Sequence, residues 1–164
     1  MNDKYAGERT RPAYPACKRA GLTLWFDGMT VRGLGAARTM LYPAVSGQPV
    51  GGKFDYSVPR QKLADFGPIP AGTYWRLPSE MQHNAWYRWR NPRAAWGNHW
   101  ITIHPLPGTV THGRGGFFIH GGNIPGSIGC IDLSMRMDAF VAALQAELAD
   151  EPACHVPLIV RYSP

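Results

Sequence analysis

Along most of this chain apolar and polar residues alternate in short runs, and helical spacing is rare. Leu22-Thr23-Leu24-Trp25-Phe26 and Met29-Thr30-Val31-Arg32 flank Asp27-Gly28. An Asp-Gly pair between β-rich runs predicts a hairpin with a type I′ turn, positive φ at both central residues. Residues 37–42 predict a third strand, ended by Pro43. Gly47, Pro49, Gly51, Gly52, Pro59, Gly67 and Pro68 break up residues 46–68, which predict a long surface loop. Gly67-Pro68-Ile69-Pro70-Ala71-Gly72 then leads into a strand over 73–77.

His99-Trp100-Ile101-Thr102-Ile103-His104 alternates like a strand, stopped by Pro105 and Pro107, and residues 117–120 form the next. Met137, Phe140, Val141, Leu144 and Leu148 alone keep the i, i+3, i+4, i+7, i+11 spacing of an amphipathic helix, with Ser134 placed as its N-cap and Pro152 just beyond. Residues 157–162 close the chain as a strand. Many strands and one late helix predict a mostly β fold, a twisted β-sandwich or open barrel with the helix packed on it.

Composition agrees. At 164 residues, with 45% hydrophobic and 17% charged, the chain is expected to form a single domain over 1–164, with residues 1–20 as an N-terminal tail. Its 19 glycines and 15 prolines suit strands joined by ordered loops. The net charge of +6 reads either as a solubility device or as attraction to a polyanion such as nucleic acid, a membrane surface or cell wall. The basic residues are scattered and match no zinc-finger, helix-turn-helix or RNP pattern, so nucleic acid is not expected as a partner. No apolar run approaches the ~18 residues of a membrane span. The first 19 residues lack the apolar centre of a signal peptide. Cys17, Cys130 and Cys154 make no disulfide framework; a Cys17–Cys154 bridge in an oxidising compartment stays open. Cys17, in a polar stretch, carries no assigned chemistry.

Residues 78–98 set Trp86, Trp89 and Trp96 among Arg88, Arg90 and Arg93, with Trp75 and Trp100 just outside. Two readings stand: the indoles cap one end of the core, or they wall a groove that grips sugar rings or a peptide.

The densest chemistry lies in residues 117–133. An apolar strand ends in His120, a glycine-rich loop follows, and Cys130 precedes a second short apolar run. A neighbouring imidazole can take the proton of a cysteine thiol and make it a nucleophile at neutral pH. Gly121, Gly122, Pro125, Gly126 and Gly129 let the loop fold back, and the Gly129 and Cys130 amides suit an oxyanion hole. Against this stands the plain reading of a small buried cysteine and a hydrogen-bonded core histidine. His104, His112 and His120 recur at eight-residue intervals, but no HExxH or acidic cluster joins them, so neither metal nor cofactor is expected. Cys154 and His155 are adjacent and on an extended chain face opposite ways.

His120-Gly121 followed by Gly126-Ser127-Ile128-Gly129-Cys130-Ile131 resembles the signature of the L,D-transpeptidase (YkuD-like) catalytic domain: a histidine-glycine, a variable loop, then Ser/Thr-His-Gly-Cys and an apolar residue. Tyr42-Pro43-Ala44-Val45-Ser46-Gly47 resembles that family's strand ending in Ser-Gly, and Gly67 to Tyr74 resembles its TPxGxF/Y segment. The likeness spans roughly residues 22–134. Three departures stand out: a short loop between His120 and Cys130, Ile128 where the family has histidine, and Asp132 where it has Arg or Asn. Together they resemble the Tlde1-type branch, whose characterised members are antibacterial effectors delivered by type VI secretion.

The resemblance implies a YkuD-like β-sandwich and an L,D-transpeptidase or L,D-carboxypeptidase that attacks the diaminopimelate–D-Ala bond of peptidoglycan tetrapeptide stems through a Cys130 thioester. His120 would be the base. Gly129, Ser127, Gly121 and Gly122 would support the oxyanion and the loop, and Arg114, Asn123, Trp96 and Asp132 are the candidate substrate contacts. It also implies a protein made in the cytoplasm, carried by a type VI secretion carrier to the periplasm of a target cell, and countered there by a periplasmic immunity protein. A non-catalytic wall-binding module is the alternative. An NlpC/P60-type endopeptidase fits less well, because its cysteine precedes its histidine.

Overall fold

A computed structural model of the chain describes residues 13–18, 21–83, 97–148 and 154–163. Among the described residues ten strands follow one another: β1 (Thr23–Phe26), β2 (Thr30–Leu34), β3 (Met40–Pro43), β4 (Val45–Ser46), β5 (Gly72–Arg76), β6 (Met81–His83), β7 (His99–Pro105), β8 (Phe117–His120), β9 (Ile131–Asp132) and β10 (Val156–Val160). A helical turn, α1 (Val58–Gln61), interrupts the first long connection, and one long helix, α2 (Met137–Leu148), precedes β10.

The strands hydrogen-bond in the order β3-β2-β1-β10-β5-β7-β8-β9-β4, with β6 branching from β7. The two ends of this path, β3 and β4, are consecutive in the chain and joined through Ala44, so the sheet curls round and nearly closes into a barrel. Among the described residues the fold is mostly β with one long helix, as the patterning predicts. The single continuous path matches the open barrel expected from the pattern more closely than two stacked sheets. β7 makes the turn: its far end pairs with β5 (Trp75 with His104) and its near end with β8 (Trp100 with His120).

Inside lies one large apolar cluster that includes Leu24, Phe26, Ile101, Ile103, Phe117, Ile119, Ile131 and Leu158. Helix α2 buries Met137, Phe140, Val141, Leu144 and Leu148, the residues its period selects, against β3 and β7. Phe140 meets the Tyr42 ring edge-on at 5.6 Å. Truncating such a side chain costs about 3–5 kcal/mol.

Four local expectations are corrected. The β1–β2 hairpin forms, but Gly28 (φ 96°) is the turn's one residue of positive φ. Asp27 instead turns its carboxylate onto the N–H groups of Met29 and Thr30 at 2.9 and 2.8 Å, an interaction the type I′ rule does not use. The third strand starts at Met40 and not at Ala37, because the N–H groups of Ala37 and Arg38 donate to the Glu147 carboxylate at the end of α2. Residues 46–68 are no plain surface loop: they contain α1 and bury Ser46, Gln61, Gly67 and Pro68. Ser134 does not cap α2 with its side chain. It opens a 3-10 turn at φ 49°, and Asp132 accepts its N–H at 2.7 Å.

Cys17 and Cys154 are joined by a disulfide, with Cα atoms 5.0 Å apart. Cys17 therefore has a structural partner. The carbonyl of Cys17 also accepts from the His155 N–H at 3.1 Å, and the Tyr14 hydroxyl lies 3.0 Å from His155 Nε2.

Candidate active site

Strand alternation decides where the sequence-selected residues point. In β8, Phe117 and Ile119 enter the main core, and so does Ile131 of β9. Phe118 and His120 therefore face the other way, as do Cys130 and Asp132 on either side of Ile131. The registers agree: β8 and β9 run parallel with Ile119 beside Ile131 and His120 beside Asp132, and Trp100 is opposite His120 across β7. Cys130 packs with Trp100 and Phe118 in a small cluster of its own. His120 and Cys130 thus share one buried face, 4% and 3% exposed.

His120 Nδ1 lies 2.6 Å from the Gly121 carbonyl oxygen. A carbonyl oxygen only accepts, so Nδ1 carries the proton and Nε2 is the basic nitrogen of the neutral ring. Burial lowers the His120 pKa, opposed by the Gly121 bond and by the nearby Asp132 charge. Burial pushes the Cys130 thiol up to about 12; Asp132 adds to the rise, while the Phe118 N–H and Arg114 act against it. Its Sγ faces the Gly116 carbonyl at 3.9 Å, where a protonated thiol can donate weakly. Both shifts favour the neutral forms, a thiol and an imidazole, over an ion pair on this face.

The turn that presents Cys130 is tied down from several sides. Ser127 Oγ donates to the Cys130 carbonyl at 2.5 Å and accepts from the Gly47 N–H at 3.2 Å, while the Ser127 N–H donates to the Gly47 carbonyl at 3.0 Å. Gly129 sits at φ 104°, and a Cβ there would strike the Arg114 guanidinium. Gly121 is similarly crowded: a Cβ would come within 2.7 Å of Met137 Cβ and of the Ser134 carbonyl.

Two residues expected on the substrate are engaged elsewhere. Asp132 is 1% exposed, and its carboxylate accepts from the N–H groups of Gly126 and Ser134 at 3.0 and 2.7 Å. It sets the shape of the His120–Cys130 loop. Arg114 is buried, and its guanidinium donates to the carbonyls of Gln61, Pro68 and Gly67 at 2.6, 2.6 and 2.9 Å. It clamps the Gly67–Ala71 segment, which Ser46, Gln61, Tyr74 and Tyr162 also hold by hydrogen bonds. Asn123 is exposed, and with Gly122 it lines a cleft of about 390 Å³ beyond the end of β8. Trp96, and with it Trp86, Trp89 and the arginines between them, lies outside the described residues.

The histidines spaced eight apart go to different places. His104 lies under Trp75 with Nε2 2.7 Å from Glu80 Oε2, His112 sits in the loop before β8, and His120 is at Gly121. Among the described residues no group of three or more His, Cys, Asp or Glu side chains is placed to hold a metal. Sequence reasoning missed Trp100 and Phe118 as the floor beneath the cysteine. Alternation within their strands was the available signal, since each lies an even number of residues from His104 or His120.

No protein-family model matches the chain, and no curated protein matches it. Among solved structures it is similar to that of Bdellovibrio bacteriovorus Bd1075, at 19% sequence identity and a TM-score of 0.49, over 88% of this chain and 48% of that one. The chain spans about half the length of that protein's structure.

Proposed function

We propose that this protein is a cysteine enzyme of peptidoglycan, an L,D-carboxypeptidase or L,D-transpeptidase of YkuD-like type. The observation that carries the reading is the His120 Nδ1–Gly121 carbonyl bond, which leaves Nε2 basic on the buried face that also holds Cys130. The resemblance of residues 42–47, 67–74 and 120–131 to the family's segments supplies the substrate class.

In this scheme Cys130 Sγ attacks the carbonyl carbon between diaminopimelate and the terminal D-Ala of a tetrapeptide stem. The thiol proton passes to His120 Nε2 as the carbon–sulfur bond forms. The tetrahedral intermediate collapses, the carbon–nitrogen bond breaks, and the proton moves from Nε2 to the departing D-Ala amine. Water then cleaves the thioester, or a D-amino acid amine takes the acyl group, with His120 removing the nucleophile's proton and returning one to sulfur. The raised Cys130 pKa makes thiolate formation part of the attack in this scheme.

The reading extends to biology. The protein acts in the periplasm of rival bacteria, reaches it through a type VI secretion carrier, and meets a periplasmic immunity protein there. The test is expression in a susceptible cell, directed to the periplasm or kept in the cytoplasm. Wild type in the periplasm is expected to stop growth. Cys130→Ala and His120→Ala are expected to be harmless there. Equal toxicity of Cys130→Ala contradicts the reading.

One observation favours a second reading. A thiol only 3% exposed, with its pKa pushed up to about 12, suits a non-catalytic wall-binding module that retains the fold. Such a module binds sacculi with or without Cys130 and leaves stem peptides intact.

A further inference from the structure

Beyond the last paired residues of β8 and β9 the two chains keep running side by side. His120 and Asp132 are the final register pair. The His120 carbonyl then accepts from the Leu133 N–H at 2.9 Å, and the Ser134 carbonyl accepts from the Gly122 N–H at 3.3 Å. Gly122 and Ser134 line one wall of the cleft of about 390 Å³. At roughly 3.3 Å per extended residue, Gly122 lies about 7 Å along the chain from His120. Ser134 holds a non-glycine φ of 49° at this wall, a strained conformation of the kind that gathers at ligand sites.

The cleft has its own chemistry. Met135, 83% exposed, gives it apolar surface, Asn123 stands at it, and Asp138 is its charged residue among those described. Asp138 is held in place by Asn98 Nδ2 on Oδ2 at 2.9 Å and by His99 Nε2 at 3.6 Å from Oδ1, yet its side chain stays 62% exposed. Among the described residues no lysine or arginine lines the cleft, although the chain carries a net charge of +6. A carboxylate held by two neighbours in a cleft that also presents an exposed methionine suits a primary ammonium on a short methylene stem.

We propose that this cleft is a specificity site for the side-chain ammonium of the residue on the acyl side of the scissile bond, with Asp138 as its counter-charge. The inference rests on the proposed function, in which that residue is diaminopimelate. Its side chain sets an ammonium-bearing carbon about 5 Å from the backbone when extended, a reach of the same order as the two to three residues that separate Gly122 and Asn123 from His120. The methylenes lie on Met135, the ammonium meets Asp138, and Asn123 faces the neighbouring carboxylate.

The experiment uses two synthetic tetrapeptide stems, one with diaminopimelate at the third position and one with 2-aminopimelate, which lacks only the second amine. Release of D-alanine gives kcat/KM for each. Wild type is expected to prefer diaminopimelate by about tenfold or more, as a charge-assisted hydrogen bond implies. Asp138→Asn is expected to bring that ratio close to one, and Asp138→Glu to restore part of it. Thermal midpoints are read alongside, because an Asp138 that serves only the first turn of α2 would shift the midpoint and leave the ratio unchanged. An unchanged ratio in Asp138→Asn overturns the proposal alone. No release from either peptide by wild type overturns the cysteine-enzyme reading, and this proposal with it.

Discussion

The Nδ1–H of His120 donates to the carbonyl oxygen of the next residue, Gly121, over 2.6 Å. The strand end thereby selects the tautomer, and Nε2 is left as the basic nitrogen of the ring. A general base of this kind contributes about 10²–10⁴-fold to rate. His120→Ala is expected to lower kcat for D-Ala release by that order. Because burial lowers the His120 pKa, the ring stays neutral below the ordinary value of 6.5. The acid limb of kcat/KM is expected to inflect below pH 6.5, and an inflection above it would contradict the assignment.

Cys130 carries the opposite shift, from an ordinary value of 9.0 up to about 12. Between those pH values the folded chain keeps a proton that the unfolded chain has released, so stability falls as pH rises above 9. Denaturant midpoints at successive alkaline pH values should fall less steeply in Cys130→Ala than in wild type. Parallel curves would mean the thiol is not buried as described.

Arg114 donates to three backbone carbonyls of the Gln61–Pro68 stretch. Arg114→Met would strand those acceptors, at about 1–3 kcal/mol for each left buried and unsatisfied. A loss of at least about 3 kcal/mol is expected in denaturant titrations by that reckoning. Arg114→Lys is expected to recover only part, since an ammonium lacks the forked geometry that spans Gly67, Pro68 and Gln61.

The Cys17–Cys154 disulfide closes a sequence separation of 137 residues. Bridges of this kind contribute about 2–5 kcal/mol. Dithiothreitol is expected to lower the thermal midpoint of wild type and to leave a Cys17→Ser, Cys154→Ser double variant unmoved. The same midpoint in both proteins, with and without reductant, would show that the bridge adds nothing.

Much of the framework was legible because short-range patterns dictate it. Alternation located β7, turn and breaker residues beside short apolar runs located β1, β2, β5, β8 and β10, and period 3.6 selected the five residues that α2 buries. What escaped depends on partners distant in sequence. Nothing near Ala37 shows that Glu147, 110 residues later, takes its N–H. Nothing near Arg114 or Asp132 shows that their charges serve backbone groups and not a ligand. Gly129 reads from sequence as room for a substrate carbonyl, whereas the close approach it permits is to Arg114. The glycine-rich spacing singles out His120 and Cys130, which the structure sets on one buried face; their shifts toward the neutral forms follow from burial, which spacing does not reveal.

The central claim is that Cys130 acylates on a tetrapeptide stem and that His120 moves the proton. Mass spectrometry of purified muropeptides incubated with the protein, with and without an added D-amino acid, tests it most directly. Wild type is expected to convert tetrapeptides to tripeptides or to exchanged tetrapeptides, with a thioester adduct on Cys130 trapped on rapid acid quench, and Cys130→Ala to leave the profile unchanged. An unaltered profile with wild type, or the same conversion by Cys130→Ala, would contradict it.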